Sequence, residues 1–108
     1  MTPLALAEHM GLQVLVPGRA QELHGIYCCD LLSAAMIHAG AGSVWVTVMG
    51  NVNTIAVAVL REVGCVILAE GAALDADATE QAAAHGVCVL ASGQPVFETA
   101  QAAAALGV

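Results

Sequence analysis

The residues best placed to do chemistry lie in the stretch Met49-Gly50-Asn51-Val52-Asn53. Here a β-branched run stops and a helical pattern starts at once. Asn51 can cap that helix by accepting a bond from the N–H of Asn53 or Thr54. The other free N–H groups and the positive end of the helix favour an anion or a carbonyl group. Gly50 leaves room for a ligand or another chain to reach the backbone. A plain capped helix accounts for Asn51 alone. It does not need a second asparagine, so Asn53 is the more informative residue.

Two further strand ends offer polar groups: Glu70-Gly71 and Ser92-Gly93. Parallel strands would gather these ends beside Asn51. The Glu70 carboxylate then either points into the shared crevice or sits in an exposed loop, and Ser92 suits a turn or a cap. Tyr27 and Asp30 flank Cys28-Cys29. Asp30 reads as a helix N-cap. Tyr27 either brings a hydroxyl to the crevice or packs its ring on the core. His9, His38 and His85 fall near helix C-termini, where partial positive charge is favourable. His24, beside Gly25, is the one histidine kept as a site candidate.

Several chemistries lack their residues. The chain has no lysine, so it has no P-loop, no Schiff-base amine and no receiver-type lysine. No G-x-G-x-x-G follows the first strand-like run and no G-x-S-x-G elbow is present. Cys28, Cys29, Cys65 and Cys88 include no C-x-x-C pair and match no zinc spacing. They read as reduced structural thiols, with a redox or metal role for Cys28-Cys29 as the alternative. No catalytic residue, metal or cofactor is assigned.

With a net charge of −7 and only Arg19 and Arg61 as cations, the chain is a poor partner for nucleic acid or an anionic membrane. Hydrophobic residues make up 59% of its 108 residues, more than the half that is usual. Leu31 to Leu60 holds no Asp, Glu, Lys or Arg, but glycines, His38, Asn51 and Asn53 interrupt it, so no membrane span is expected. The first residues carry Glu8 and no basic n-region, so a cytoplasmic protein is expected.

The elements follow from local signals. Thr2 and Pro3 open a first helix that Gly11 ends. Gln13 to Val16 is a short strand, and Leu23 to Cys28 holds another. Asp30 starts a second helix with Leu32, Ala35, Met36 and Ala39 on one face. Ser43 to Met49 is a strand. Asn51 opens a third helix with the stripe Val52, Ile55, Ala56, Val59, Leu60 and Val63, and Val57 and Ala58 extend its apolar surface. Cys65 to Ala69 is a strand. A fourth helix runs from Asp75 or Asp77 to Gly86, Val87 to Ala91 is the last strand, and Pro95 starts an alanine-rich last helix. Alternating elements with continuously apolar strands point to one α/β domain over residues 1–108. It would have three layers, with a mostly parallel sheet of about four or five strands flanked by helices.

Cys29-Asp30-Leu31-Leu32-Ser33, Val44-Trp45-Val46-Thr47-Val48 and Asn51-Val52-Asn53 with Ile55-Ala56-Val57-Ala58 resemble the DRTGG-domain family. The Gly-Val strand near residue 87 and the Phe97-Glu98 helix start are also similar. That family is similar to the N-terminal domain of HPr kinase/phosphorylase. The resemblance implies a compact α/β fold, a regulatory role beside CBS domains, phosphotransacetylases or pyrophosphatases, and self-association. The segment matching the Asp-Arg-Thr-Gly-Gly stretch is Glu22-Leu23-His24-Gly25-Ile26, which shares only Gly25. A role tied to the family's arginine therefore does not transfer.

The resulting expectation is a non-catalytic regulatory module. It would bind a small anionic ligand such as a nucleotide at the strand C-terminal ends, through Met49, Gly50, Asn51, Asn53, Glu70, Gly25 and Tyr27. It would form a homodimer, for which the apolar Val57 and Ala58 are the motive. The competing expectation is a structural interaction subunit with no small-molecule ligand.

Overall fold

Local capping sets the chain's first turns. In the computed structural model, which describes Met1–Val108, helix α1 (Pro3–Met10) begins where the Thr2 hydroxyl accepts a bond from the Ala5 N–H at 3.3 Å. Gly11 ends it in the left-handed conformation. Strands β1 (Gln13–Val16) and β2 (Ile26–Cys28) follow, then α2 (Leu32–His38) and β3 (Val44–Thr47). Helix α3 (Val52–Leu60), β4 (Cys65–Leu68), α4 (Ala76–His85), β5 (Val89–Ala91) and α5 (Val96–Ala105) complete the chain. Every expected element is present, within a few residues of its expected ends.

The five strands form one sheet in the order β1-β5-β4-β3-β2. The pairs β2–β3, β3–β4 and β4–β5 are parallel. Strand β1 pairs antiparallel with β5 and carries an irregularity between Val14 and Val16, which suits a short edge strand. The sheet is thus mixed and mostly parallel.

Successive parallel strands step in one direction across the sheet, so right-handed crossovers place α2, α3 and α4 on one face. These helices pack on one another in sequence order. They bury Ala35, Ala39, Ile55, Ala58, Ala78 and Ala82 against Trp45, Val66, Leu68 and Val89. Helices α1 and α5 cover the other face, with Leu6, Ala7 and Ala103 against Val44, Val46, Ile67 and Leu90. β3 and β4 are buried along their whole length. This explains their continuous apolar sequence. Trp45 is fully buried, and its indole N–H donates to the Cys29 carbonyl at 3.0 Å, so the core's largest ring leaves no unsatisfied donor.

Two sequence expectations need correction. Asp30 does not cap α2: Leu31 holds the cap position and no side chain bonds there. The carboxylate is taken by the neighbouring strand end instead. The buried face of α3 is Thr54, Ile55, Val57 and Ala58, whereas Val52, Ala56 and Leu60 of the expected stripe face outward. In an apolar helix the periodicity is degenerate, and the sheet beneath it sets the inward face. Val57 and Ala58 belong to the molecule's own core, so they give no motive for a dimer.

Candidate functional site

The C-terminal ends of β2, β3, β4 and β5 share one rim because those strands are parallel. At the β2 end, one Asp30 carboxylate oxygen accepts from the Thr47 hydroxyl at 2.7 Å and from the Val48 N–H at 2.8 Å. Thr47 is fully buried, so this clasp satisfies a hydroxyl that would otherwise be stranded in the core. It ties the edge strand β2 to β3.

At the β3 end, the Asn51 side-chain oxygen accepts from the Thr54 N–H at 3.0 Å, the expected cap of α3. Gly50 has a different use from the one its sequence suggests. A Cβ there would lie 1.9 Å from the Ala73 carbonyl oxygen, and Gly50 accepts a bond from the Asp75 N–H at 2.8 Å. The backbone that approaches Gly50 is the chain's own β4–α4 loop.

That loop turns sharply. Glu70 and Gly71 both take positive φ, of 60° and 69°. Their N–H groups donate to the Gln94 and Ser92 carbonyls at 2.8 and 3.0 Å. Ser92 is buried; its hydroxyl pairs with that of Thr99 at 2.9 Å and accepts from the Gln94 N–H at 3.1 Å, which makes it the turn residue expected of it. From here the chain divides between the two faces. The β4–α4 loop leads to the face of α2 and α3, and the β5–α5 loop to the face of α1. Such a divergence at the carboxyl ends of adjacent strands opens a crevice in α/β sheets.

A groove of about 710 Å³ lies at this divergence. Its walls are Gly71 to Leu74, Ala91 to Gly93, and Gln13 and Leu15 of β1. The N–H groups of Ala73, Leu74 and Gly93 take no acceptor from the protein, so the walls offer unpaired donors. A second hollow of about 190 Å³ adjoins it on the α5 side and shares Gly11, Ala91, Ser92 and Gly93.

Five of the seven residues named from the sequence stand on this rim. Met49, Gly50, Asn51 and Asn53 stand together at the end of β3, and Glu70 stands at the end of β4, at the foot of the groove wall. Asn53 is exposed. Tyr27 is in the middle of β2, half-buried against the core and paired in register with Trp45. Its phenol is held above its ordinary pKa by the adjacent Cys29 thiol and by burial. Gly25 precedes β2, on the opposite rim, and His24 beside it is exposed there. None of the seven candidates lines one of the molecule's four concavities. Sequence reasoning missed Ala73, Leu74, Gly11 and Gln13, which carry no chemical signal of their own. Only the divergence of the two loops could have pointed to them.

Thiols contribute no reactive centre on the buried side. Burial pushes the Cys65 thiol far up, with Cys88 adding to it, and pushes Cys88 up to about 11. Cys28, at the exposed edge, is also raised, by partial burial and by the Asp30 carboxylate. No group of three or more His, Cys, Asp or Glu residues is arranged to hold a metal ion. No helix is long and apolar enough to cross a membrane.

The chain is similar in structure to the CBS and DRTGG domains of the regulatory region of Clostridium perfringens pyrophosphatase, solved with its activator diadenosine tetraphosphate. The superposition has a TM-score of 0.73 and covers 94% of this chain at 8% identity. The DRTGG resemblance is borne out at the level of the fold. This chain spans 45% of the length of that one. No family model and no curated protein matches the sequence.

Proposed function

We propose that this chain is a non-catalytic regulatory module. It binds a small anionic ligand of the nucleotide class in the groove at the carboxyl ends of β4 and β5. The observation that carries the reading is the groove itself: it sits where the two loops part to opposite faces, and its walls present the free N–H groups of Ala73, Leu74 and Gly93. The shared fold with a regulatory region that was crystallised with a dinucleotide activator supports the ligand class. No arginine lines the groove, and Asp75 and Asp77 stand near its rim. A bare polyphosphate is therefore disfavoured, and backbone donors together with the base and ribose carry the recognition. Of the earlier candidates, Glu70 shapes the lip. Gly50 seats the wall and Asn51 caps α3, rather than touching the ligand.

A thermal-shift screen with AMP, ATP, GTP and diadenosine tetraphosphate tests this. At one hundred times Kd a ligand stabilises by about 2.7 kcal/mol, a rise of at least about 10 °C for a domain of this size. Gly93 has open space beside it and an ordinary φ. Gly93→Leu should therefore fold normally and lose the shift. No shift with any of the four, or a shift that Gly93→Leu and Asn53→Ala leave equally intact, removes the groove from consideration.

Self-association, which is compatible with that reading, is favoured by one observation. Helix α3 is central on its face, carries no charged residue from Val52 to Leu60, and exposes Val52 and Leu60 beside an apolar trough of about 230 Å³ against α4. In a chain of net charge −7, this is a face on which two copies can meet without apposing carboxylates. We propose a second copy as its occupant. Sedimentation should show a dimer at micromolar concentration that Leu60→Asp converts to a monomer with unchanged circular dichroism. A wild-type monomer at high micromolar concentration would refute it.

A further inference from the structure

We infer that the opposite rim carries a second binding site, for a small zwitterion of the α-amino-acid class. A cavity of about 290 Å³ lies there, between the C-terminal ends of α3 and α4 and the segment that carries the chain from β1 to β2. Its size is at the lower end for ligand sites, which suits one amino acid and not a nucleotide.

The charges facing it are one of each sign, and both are free. Arg61 is committed elsewhere, its Nε donating to the Ala39 carbonyl at 2.9 Å. Arg19, which lines the cavity, makes no side-chain hydrogen bond and no ion pair. Glu62 lines it too and is likewise unpaired, the molecule's one ion pair being that of the N-terminus with Glu22. Glu62 also keeps its side chain at a φ of 54°, where L-residues are disfavoured. A guanidinium and a carboxylate that share a cavity without pairing leave places for a ligand's carboxylate and ammonium.

The surroundings agree with that polarity. The carbonyl ends of α3 and α4 add partial negative charge, which favours an ammonium near Glu62. Val59, Val63 and Val87 supply an apolar wall for an aliphatic side chain. Gln21 adds an amide, which now donates to the Gly64 carbonyl at a long 3.4 Å. The site lies across the sheet from the nucleotide groove and does not depend on it.

The test is a thermal-shift screen of the whole chain with the standard L-amino acids at millimolar concentration, followed by calorimetry on the best. That amino acid is then compared with its N-acetyl form, which lacks the ammonium, and its amide, which lacks the carboxylate. At least one amino acid with a small aliphatic side chain should raise the melting temperature, and each derivative should bind at least about ten-fold more weakly. Arg19→Gln should reproduce the loss seen with the amide, and Glu62→Gln the loss seen with the N-acetyl form. If no amino acid shifts the melting temperature, or either derivative binds as well as its parent, or both variants bind unchanged, the site is refuted. Should a variant fail to fold, the derivative series on the wild-type chain decides alone.

Discussion

Replacing Gly50 with alanine should damage both the fold and the groove, because Gly50 is where the groove wall is seated. An added Cβ would lie 1.9 Å from the Ala73 carbonyl oxygen, 2.9 Å from its carbon and 3.2 Å from the Leu74 Cα. Ordinary contact begins at 3.4 Å, so the oxygen must retreat by about 1.5 Å. The loop has little freedom to do so. It is pinned by Asp75 N–H on the Gly50 carbonyl, by Gly71 N–H on Ser92 and by Ala72 N–H on Ala69, at 2.8, 3.0 and 3.0 Å. Overpacking of this kind costs about 1–3 kcal/mol, and the loss of the Gly50–Asp75 bond about 1 more. The expected total of about 2–4 kcal/mol lowers the melting temperature by at least about 8 °C. The assay is a thermal melt followed by circular dichroism, with Gly93→Ala as the control. Gly93 meets nothing within 4 Å, so the control should stay within about 2 °C of wild type. A Gly50→Ala protein that melts with the control would show that the loop does not rest on Gly50.

Other outcomes follow from the same geometry. Asp30→Ala strands the buried Thr47 hydroxyl and the Val48 N–H, and should cost about 2 kcal/mol in urea unfolding. Asp30→Asn keeps an acceptor oxygen and should cost less. In native protein at pH 8, Ellman's reagent should reach Cys28 and Cys29 only. Cys65 and Cys88 are buried, with pKa values raised by burial, and should react only on unfolding. The N-terminal ammonium holds the Glu22 carboxyl below its ordinary 4.5. The contribution of that pair is therefore present above pH 4.5 and lost as pH falls through the folded-state value. Glu22→Gln should make the acid limb of the melting-temperature profile shallower.

Much of the fold was legible because the punctuation was strong. Thr2 with Pro3, Asn51, Gly11 and Gly86 all act at the ends expected of them. The unbroken apolar runs of β3 and β4 announced strands covered on both faces. What was not legible depended on partners distant in sequence. Nothing local tells Asp30 to serve Thr47 and Val48 rather than its own helix. The pattern of α3 offers apolar residues on nearly every side, so the inward face was set by the sheet beneath it and not by the helix. β1 has the composition of any short strand, and its antiparallel pairing with β5 follows from where the chain enters the sheet. The groove was invisible for a related reason. Its walls are glycines, alanines and backbone amides brought together by two diverging loops, whereas the side chains that drew attention, Asn53 and Tyr27, lie outside it.

The central claim is that a nucleotide-class ligand occupies the groove between the β4–α4 and β5–α5 loops. Titrating isotopically labelled protein with AMP or diadenosine tetraphosphate, and following the backbone amides by NMR, tests it most directly. The amides of Gly71 to Leu74 and of Gly93 should shift together along a single saturating curve, with Asn53 and Gly25 unmoved. Saturable shifts centred on Asn53 with a silent Gly93, or no shift anywhere at millimolar ligand, would contradict it.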